Sequence, residues 1–312
     1  MTRYRNGLPQ LSDDLFLMDA GLETDLIFNH GIDIPEFASH TLLPDPKGRE
    51  AMVKYYRDFL SLAGTTDAGF LLGVPIWKAH MHWAKDLGAS EDDLRQANFD
   101  AVAFVSGLRD EFSENAKPIV LDGIIGPRGD AYAPDEMVAI NEAEQYHAKQ
   151  IGWLVETNVD MVTGLTFTQS DEAIGFVRAA RAAGIPSVMS FTVETDGKLP
   201  TGQSLGEAIQ AVDDKTDQAA AYFMVNCAHP DHFSHVLDDE AWTRRIRGIR
   251  CNASRQSHAE LDACEVLDDG NPVELGGQYR TFKDRMPWLN VFGGCCGSDL
   301  RHVEQIAKAM AA

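Results

Sequence analysis

Short apolar runs alternate with longer amphipathic segments along the whole chain, and this constrains the fold more than any other feature. Residues 15–19, 68–72, 118–122, 159–163, 187–191, 221–225, 246–249 and 289–292 read as strands. Between and after them, helical periodicity covers 50–63, 91–112, 135–156, 170–183, 205–213, 232–237, 258–267 and 299–310. The first of these carries Met52, Val53, Tyr56, Phe59 and Leu60 on one stripe. Pro134 precedes the third, Gly184 closes the fourth, and Ser298 is placed to cap the last. Residues 268–287 read as an irregular excursion. Eight strand–helix pairs fit a closed α/β barrel, the TIM (β/α)8 architecture, better than a doubly wound sheet. With no linker or further repeat, the expectation is one domain over residues 1–312.

In such a barrel, chemistry collects just past the C-terminal ends of the strands. Asp19, Asp122, Asn226, Cys227, Cys295 and Cys296 all fall there. Cys227 lies in VNCAHP, and the adjacent pair lies in FGGCCG. Neighbouring cysteines form no relaxed disulfide with each other, and the flanking glycines let the backbone turn both toward one point. Zinc accepts thiolates, and a catalytic site needs three protein ligands and one open position. Spacing alone leaves two readings: buried thiols packing as small hydrophobes, or a metal site. A closed structural site with His229 or His232 as fourth ligand is a variant of the second. Against it, the cysteines stand far apart at strand ends, whereas structural sites favour local CxxC pairs.

A metal held by three thiolates would take an incoming thiol as its thiolate, since coordination lowers the thiol pKa. That thiolate could then receive an alkyl group from a positively charged sulfur or nitrogen. Asp19, Ala20 and Glu23 form a turn where a carboxylate could hold an ammonium; a capping or Asx-turn role suits the two acids equally well. Ser190 and Thr192 alternate with Phe191 and could present hydroxyls to the mouth, and Asn226 could orient a ligand or meet substrate. The loop Gly126-Pro127-Arg128-Gly129 lacks the Lys-Ser/Thr ending of a phosphate cradle. His80 and His82 read as structural.

The sequence holds 27 lysines and arginines against 48 acids, a formal charge of -21, which repels phosphate backbones and argues against nucleic-acid binding. No apolar stretch is long enough for a membrane span, and the polar N-terminus does not read as a signal peptide. Five cysteines under these conditions suit the reducing cytoplasm. A homo-oligomer is neither required nor excluded.

Several motifs together resemble the homocysteine S-methyltransferase family, from LMDAGLETDL to GGCCGSDLRHVEQI. They are Asp19-Ala20-Gly21, Ile125-Gly126-Pro127, Ser190-Phe191-Thr192, Asn226-Cys227 and Gly293–Gly297. The resemblance implies a TIM barrel with Zn²⁺ on Cys227, Cys295 and Cys296, and methyl transfer to homocysteine to give methionine. S-methylmethionine, S-adenosylmethionine, betaine or a corrinoid would be the donor. Two segments depart from the family pattern. Where many members carry a glutamate after the fourth strand, this chain reads Val162-Thr163-Gly164-Leu165-Thr166-Phe167. The end of the second strand, usually polar, reads Phe70-Leu71-Leu72-Gly73-Val74-Pro75-Ile76-Trp77. Both make the expected pocket more apolar, so a different thiol acceptor, or a non-catalytic barrel that binds a thiol or metal, stands beside the leading reading.

Overall fold

The computed structural model describes residues 2–113, 117–132, 137–237 and 240–311. Eight parallel strands close into a barrel in sequence order: β1 (Phe16–Leu17), β2 (Gly69–Val74), β3 (Ile119–Ile125), β4 (Met161–Phe167), β5 (Ser187–Phe191), β6 (Ala220–Asn226), β7 (Ile246–Cys251) and β8 (Val291–Gly294). Closure comes from β1 pairing with β8, Phe16 opposite Val291 and Leu17 opposite Phe292. All eight expected strands are present, and β5 has the expected bounds.

Helices wrap the barrel. Glu91–Phe112 matches its expected span and starts at a capping box in which Ser90 and Asp93 satisfy each other's backbone. Ser170–Ala182 ends beside Gly184, which takes the left-handed conformation (φ +69°) expected of it. The third expected helix is observed over Ile140–Val155; its start at Asp135 after Pro134 lies outside the described residues.

Four local expectations need correction. The excursion 268–287 contains a helix, Pro272–Arg285, capped by Asn271 and buried through Leu275, Tyr279 and Phe282. Gly276 and Gly277 mask its periodicity in the sequence. At Gly276 an added Cβ would meet the Gln305 carbonyl oxygen at 2.9 Å, so the glycine permits close packing on the helix Leu300–Ala311. That last helix is capped by Asp299, whose Oδ1 accepts the Arg301 N–H at 2.9 Å, while Ser298 Oγ bonds the Cys295 carbonyl at 2.6 Å. The expected helices 232–237 and 258–267 shrink to Pro230–Phe233 and His258–Asp262.

Inward-facing residues change character along the barrel axis. At the N-terminal end Phe16, Leu71, Val120, Met161, Val188, Tyr222 and Val291 form an apolar plug with Leu8 of the N-terminal segment. Two residues further on, β3, β4 and β5 present Asp122, Thr163 and Ser190, and β6, whose Met224 still belongs to the plug, presents Asn226 four residues on; all four polar residues are buried. The barrel is therefore filled by hydrocarbon at one end and by hydrogen-bonding groups at the other.

Candidate metal centre

β6 and β8 deliver the thiols. Cys227 follows Asn226 in a left-handed conformation (φ +57°), sparsely populated for a residue with a Cβ. Its carbonyl accepts from Asn252 Nδ2 at 3.0 Å and contacts His258 Nε2 at 2.6 Å, with Thr192 Oγ1 at 3.4 Å. After β8, the chain passes so close to Gly21 that a Cβ there would lie 2.6 Å from the Cys295 carbonyl oxygen. Gly297 (φ +77°) then turns the backbone back after Cys296.

The three Sγ atoms lie within 4.8 Å of one another, Cys227 and Cys296 at 3.6 Å. Sulfurs around one tetrahedral zinc stand about 3.8 Å apart, given zinc–sulfur bonds of about 2.3 Å. The donor set fits a soft cation with little movement. Among the described residues no histidine, aspartate or glutamate joins this group. His229 accepts the Asp231 N–H instead, and His232 Nε2 contacts the Arg255 carbonyl at 2.8 Å.

Electrostatics also single out this point. Hydrogen bonds from Cys227 and Cys296, helped by Arg250 and against the effect of burial, pull the Cys295 thiol well below its ordinary pKa. The same contacts with Cys295 and Cys296, together with burial, raise Cys227. Arg250 is buried and pairs with Asp19 at 2.8 Å while donating to the Gly294 and Ala20 carbonyls. Burial raises the Asp19 pKa despite that pairing. Asp122 is pushed to about 7 by burial; one carboxylate oxygen accepts from Thr163 Oγ1 at 2.6 Å, and the other is unpartnered among the described residues.

The cluster opens onto a cavity of about 460 Å³. Asp19, Ala20 and Glu23 line it, and Asp19 is already engaged by Arg250. Ser190, Thr192 and Asn226 do not line it. They are fully buried, and Asn226 binds Ser190 Oγ (2.6 Å), Thr166 N (3.0 Å) and Thr166 Oγ1 (2.7 Å). Its Nδ2 lies 4.0 Å from Cys295 Sγ. Thr166 is itself left-handed (φ +68°), so Asn226 ties together two strained strand ends.

Three residues of the site were missed in the sequence. Tyr132 places its hydroxyl 3.0 Å from Cys227 Sγ and its ring 4.6 Å from that of His258. Asn252 is buried at the cavity, with Oδ1 unpartnered among the described residues. Arg250 and Asn252 sit at and beyond the end of β7, a position that could have flagged both. Tyr132 had no comparable signal.

A closed parallel barrel with three thiols converging at its mouth, beside a cavity of small-molecule size, defines a metal-dependent group-transfer enzyme of the TIM-barrel class. The sequence profile of homocysteine S-methyltransferase matches residues 16–310, and the chain belongs to that family. Among solved structures, the chain is similar to the Escherichia coli homocysteine methyltransferase MmuM in three forms. The oxidized form gives a TM-score of 0.75 at 15% identity, covering 95% of this chain and 96% of that one. The metallated form gives 0.71 at 16% identity, covering 95% and 96%. The apo form gives 0.62 at 16% identity, covering 96% of each. At such identities the likeness speaks for the fold. No curated protein matches the chain by sequence.

Proposed function

We propose that this protein methylates the thiol of homocysteine, giving methionine, with zinc held by Cys227, Cys295 and Cys296. The observation that carries the reading is the convergence of three sulfurs from two strand ends at the floor of one cavity. A zinc ion bound there would supply the Lewis acidity that keeps an acceptor thiol ionised at neutral pH. The chain's own residues do the rest. Asn226 and the groups on the Cys227 carbonyl hold the cluster in place from behind, as outer-shell partners do in metal sites. Arg250 offsets the negative charge of the sulfurs and fixes Asp19. Phe28 and Phe37 line the cavity, giving aromatic faces suited to a cationic methyl donor. The sulfur–methyl bond forms as the donor's bond to that methyl breaks; the donor leaves with the bonding pair, and the thiol proton goes to solvent.

In this reading Asp19, Ala20 and Glu23 face the substrates, while Ser190, Thr192 and Asn226 support the thiols. Residues 1–312 act as one domain in the cytoplasm, where free thiols persist. No described helix is long and apolar enough to cross a membrane. The test is methyl transfer from S-methylmethionine, S-adenosylmethionine or betaine to homocysteine in the presence of zinc. Methionine should form with wild type and not with Cys296→Ser. Absence of product with every donor would count against the reading.

A further inference from the structure

The cavity beside the thiols contains two opposite charges without an ion-pair partner. Glu23 lies on the helical turn Leu22–Thr24 that follows β1, and Lys78 follows β2. Both line the cavity and both are half-buried. Glu36, Asp130, Glu23 and Asp86 act on the Lys78 charge without contacting it, and Arg250 acts in the same way on Glu23. Neither forms a salt bridge within 4.0 Å with any described residue. Glu23 has the Ser39 hydroxyl as a neutral partner. The Lys78 ammonium sits over indole rings, 3.7 Å from the Trp83 centroid and 5.8 Å from that of Trp77.

Other charges around the cavity are engaged or peripheral. Asp19 and Arg250 neutralise each other. Asp268 accepts from Ser254 Oγ and Gly270 N, and Asp130 accepts the Tyr132 N–H. Asp262 is exposed. A half-buried charge with no counter-charge in direct contact is poorly compensated, and a ligand that brings one into contact recovers part of that cost. Leu165 lines the same cavity and offers no charge of its own.

We infer that Glu23 and Lys78 form a dock for the zwitterionic head of an α-amino acid, Glu23 receiving the ammonium and Lys78 the carboxylate. The inference rests on the proposed methyl transfer and names how its acceptor is held. The acceptor class is then a thiol bearing both charges, with its sulfur reaching the three cysteines.

Four thiols test the dock: homocysteine, mercaptobutyrate (carboxylate only), aminopropanethiol (ammonium only) and propanethiol (neither). Glu23→Gln should raise KM for homocysteine and aminopropanethiol about ten- to hundredfold and leave the other two within about twofold. Lys78→Met should do the same for homocysteine and mercaptobutyrate while sparing aminopropanethiol and propanethiol. Equal losses across all four thiols, or none, overturn the dock. Glu23→Asp, which keeps the charge, should restore part of the selectivity; failure to do so also counts against it. A second readout needs neither turnover nor metal: methionine binding followed by tryptophan fluorescence. Wild type should bind methionine, and each variant should bind about tenfold more weakly. Unchanged binding in the variants, or none in wild type, overturns the dock. Selective binding without methylation of any thiol would instead leave the dock standing and remove the proposed reaction.

Discussion

At the N-terminal end of the barrel, Phe16, Leu71, Val120, Met161 and Val291 pack as hydrocarbon; at the C-terminal end, the inward positions carry Asp122, Thr163, Ser190 and Asn226. The N-terminal end is also anchored by its own leading segment. Gln10 is fully buried and donates to Met161 Sδ and the Tyr222 hydroxyl. Asn290 donates to the carbonyls of Gln10, Ser12 and Asp14. Asp160 accepts the N–H groups of Arg3, Tyr4 and Leu121 and pairs with buried Arg109 at 3.0 Å. The C-terminal end instead holds left-handed Thr166 and Cys227, an unpartnered Asp122 oxygen and a cavity. The difference separates stability from chemistry. Both ends bury some unpartnered polar atoms, Gln10 Oε1 and Asn290 Oδ1 among them, but the close-packed floor supports strained backbone and an open cavity at the mouth, where a reaction can use them.

Substitutions at the two ends should therefore have different signatures. The largest stability effect is expected at the floor: Asp160→Ala leaves the Arg109 charge buried and unpaired, and urea unfolding should show a loss of about 3–5 kcal/mol. Metal content of the folded fraction should not change. Any selective loss of metal in that variant would blur the separation.

Asp122→Asn probes the opposite end. The folded-state pKa of Asp122, raised to about 7 by burial, exceeds that of the unfolded chain. Folding then takes up a proton between about pH 4 and 7, so this group's contribution declines as pH rises through that window. Asparagine keeps the shape and removes the decline. The variant should gain about 2–4 kcal/mol over wild type at pH 8, with no comparable gain at pH 4. Parallel stability curves would contradict the burial of an ionisable Asp122.

Asn226→Ala loosens the support behind the thiols. Chelator competition should reveal metal affinity reduced about ten- to hundredfold, with an accompanying loss of stability. Unchanged affinity would reduce Asn226 to a packing role. The smallest effect is expected from Gln10→Ala, about 1–2 kcal/mol of stability with metal affinity retained.

The floor and wall of the barrel were legible because strand and helix periods are local. β5 could be placed to the residue, and the helix Glu91–Phe112 to its span. The helix Pro272–Arg285 was hidden because paired glycines look like a turn until the neighbouring helix shows why they are needed. At the mouth, the thiols were legible from motif and strand position. The pairing of Asp19 with Arg250 was not, since it joins β1 to β7 across most of the chain. Tyr132 was hidden for a related reason. Its loop is anchored by distant groups: the Arg128 N–H bonds Glu172, which also contacts His147 across two helices. Local patterns reveal what an element is; which side chains meet across the barrel mouth depends on closure.

Metal content of the purified protein tests the central claim most directly, measured for wild type, Cys227→Ala and Cys295→Ala after equilibration with zinc and removal of excess ion. Wild type should retain about one zinc per chain and both variants should lose it, because two remaining thiolates no longer complete the site. Full retention of zinc in both variants would contradict a centre built from the sulfurs at the ends of β6 and β8.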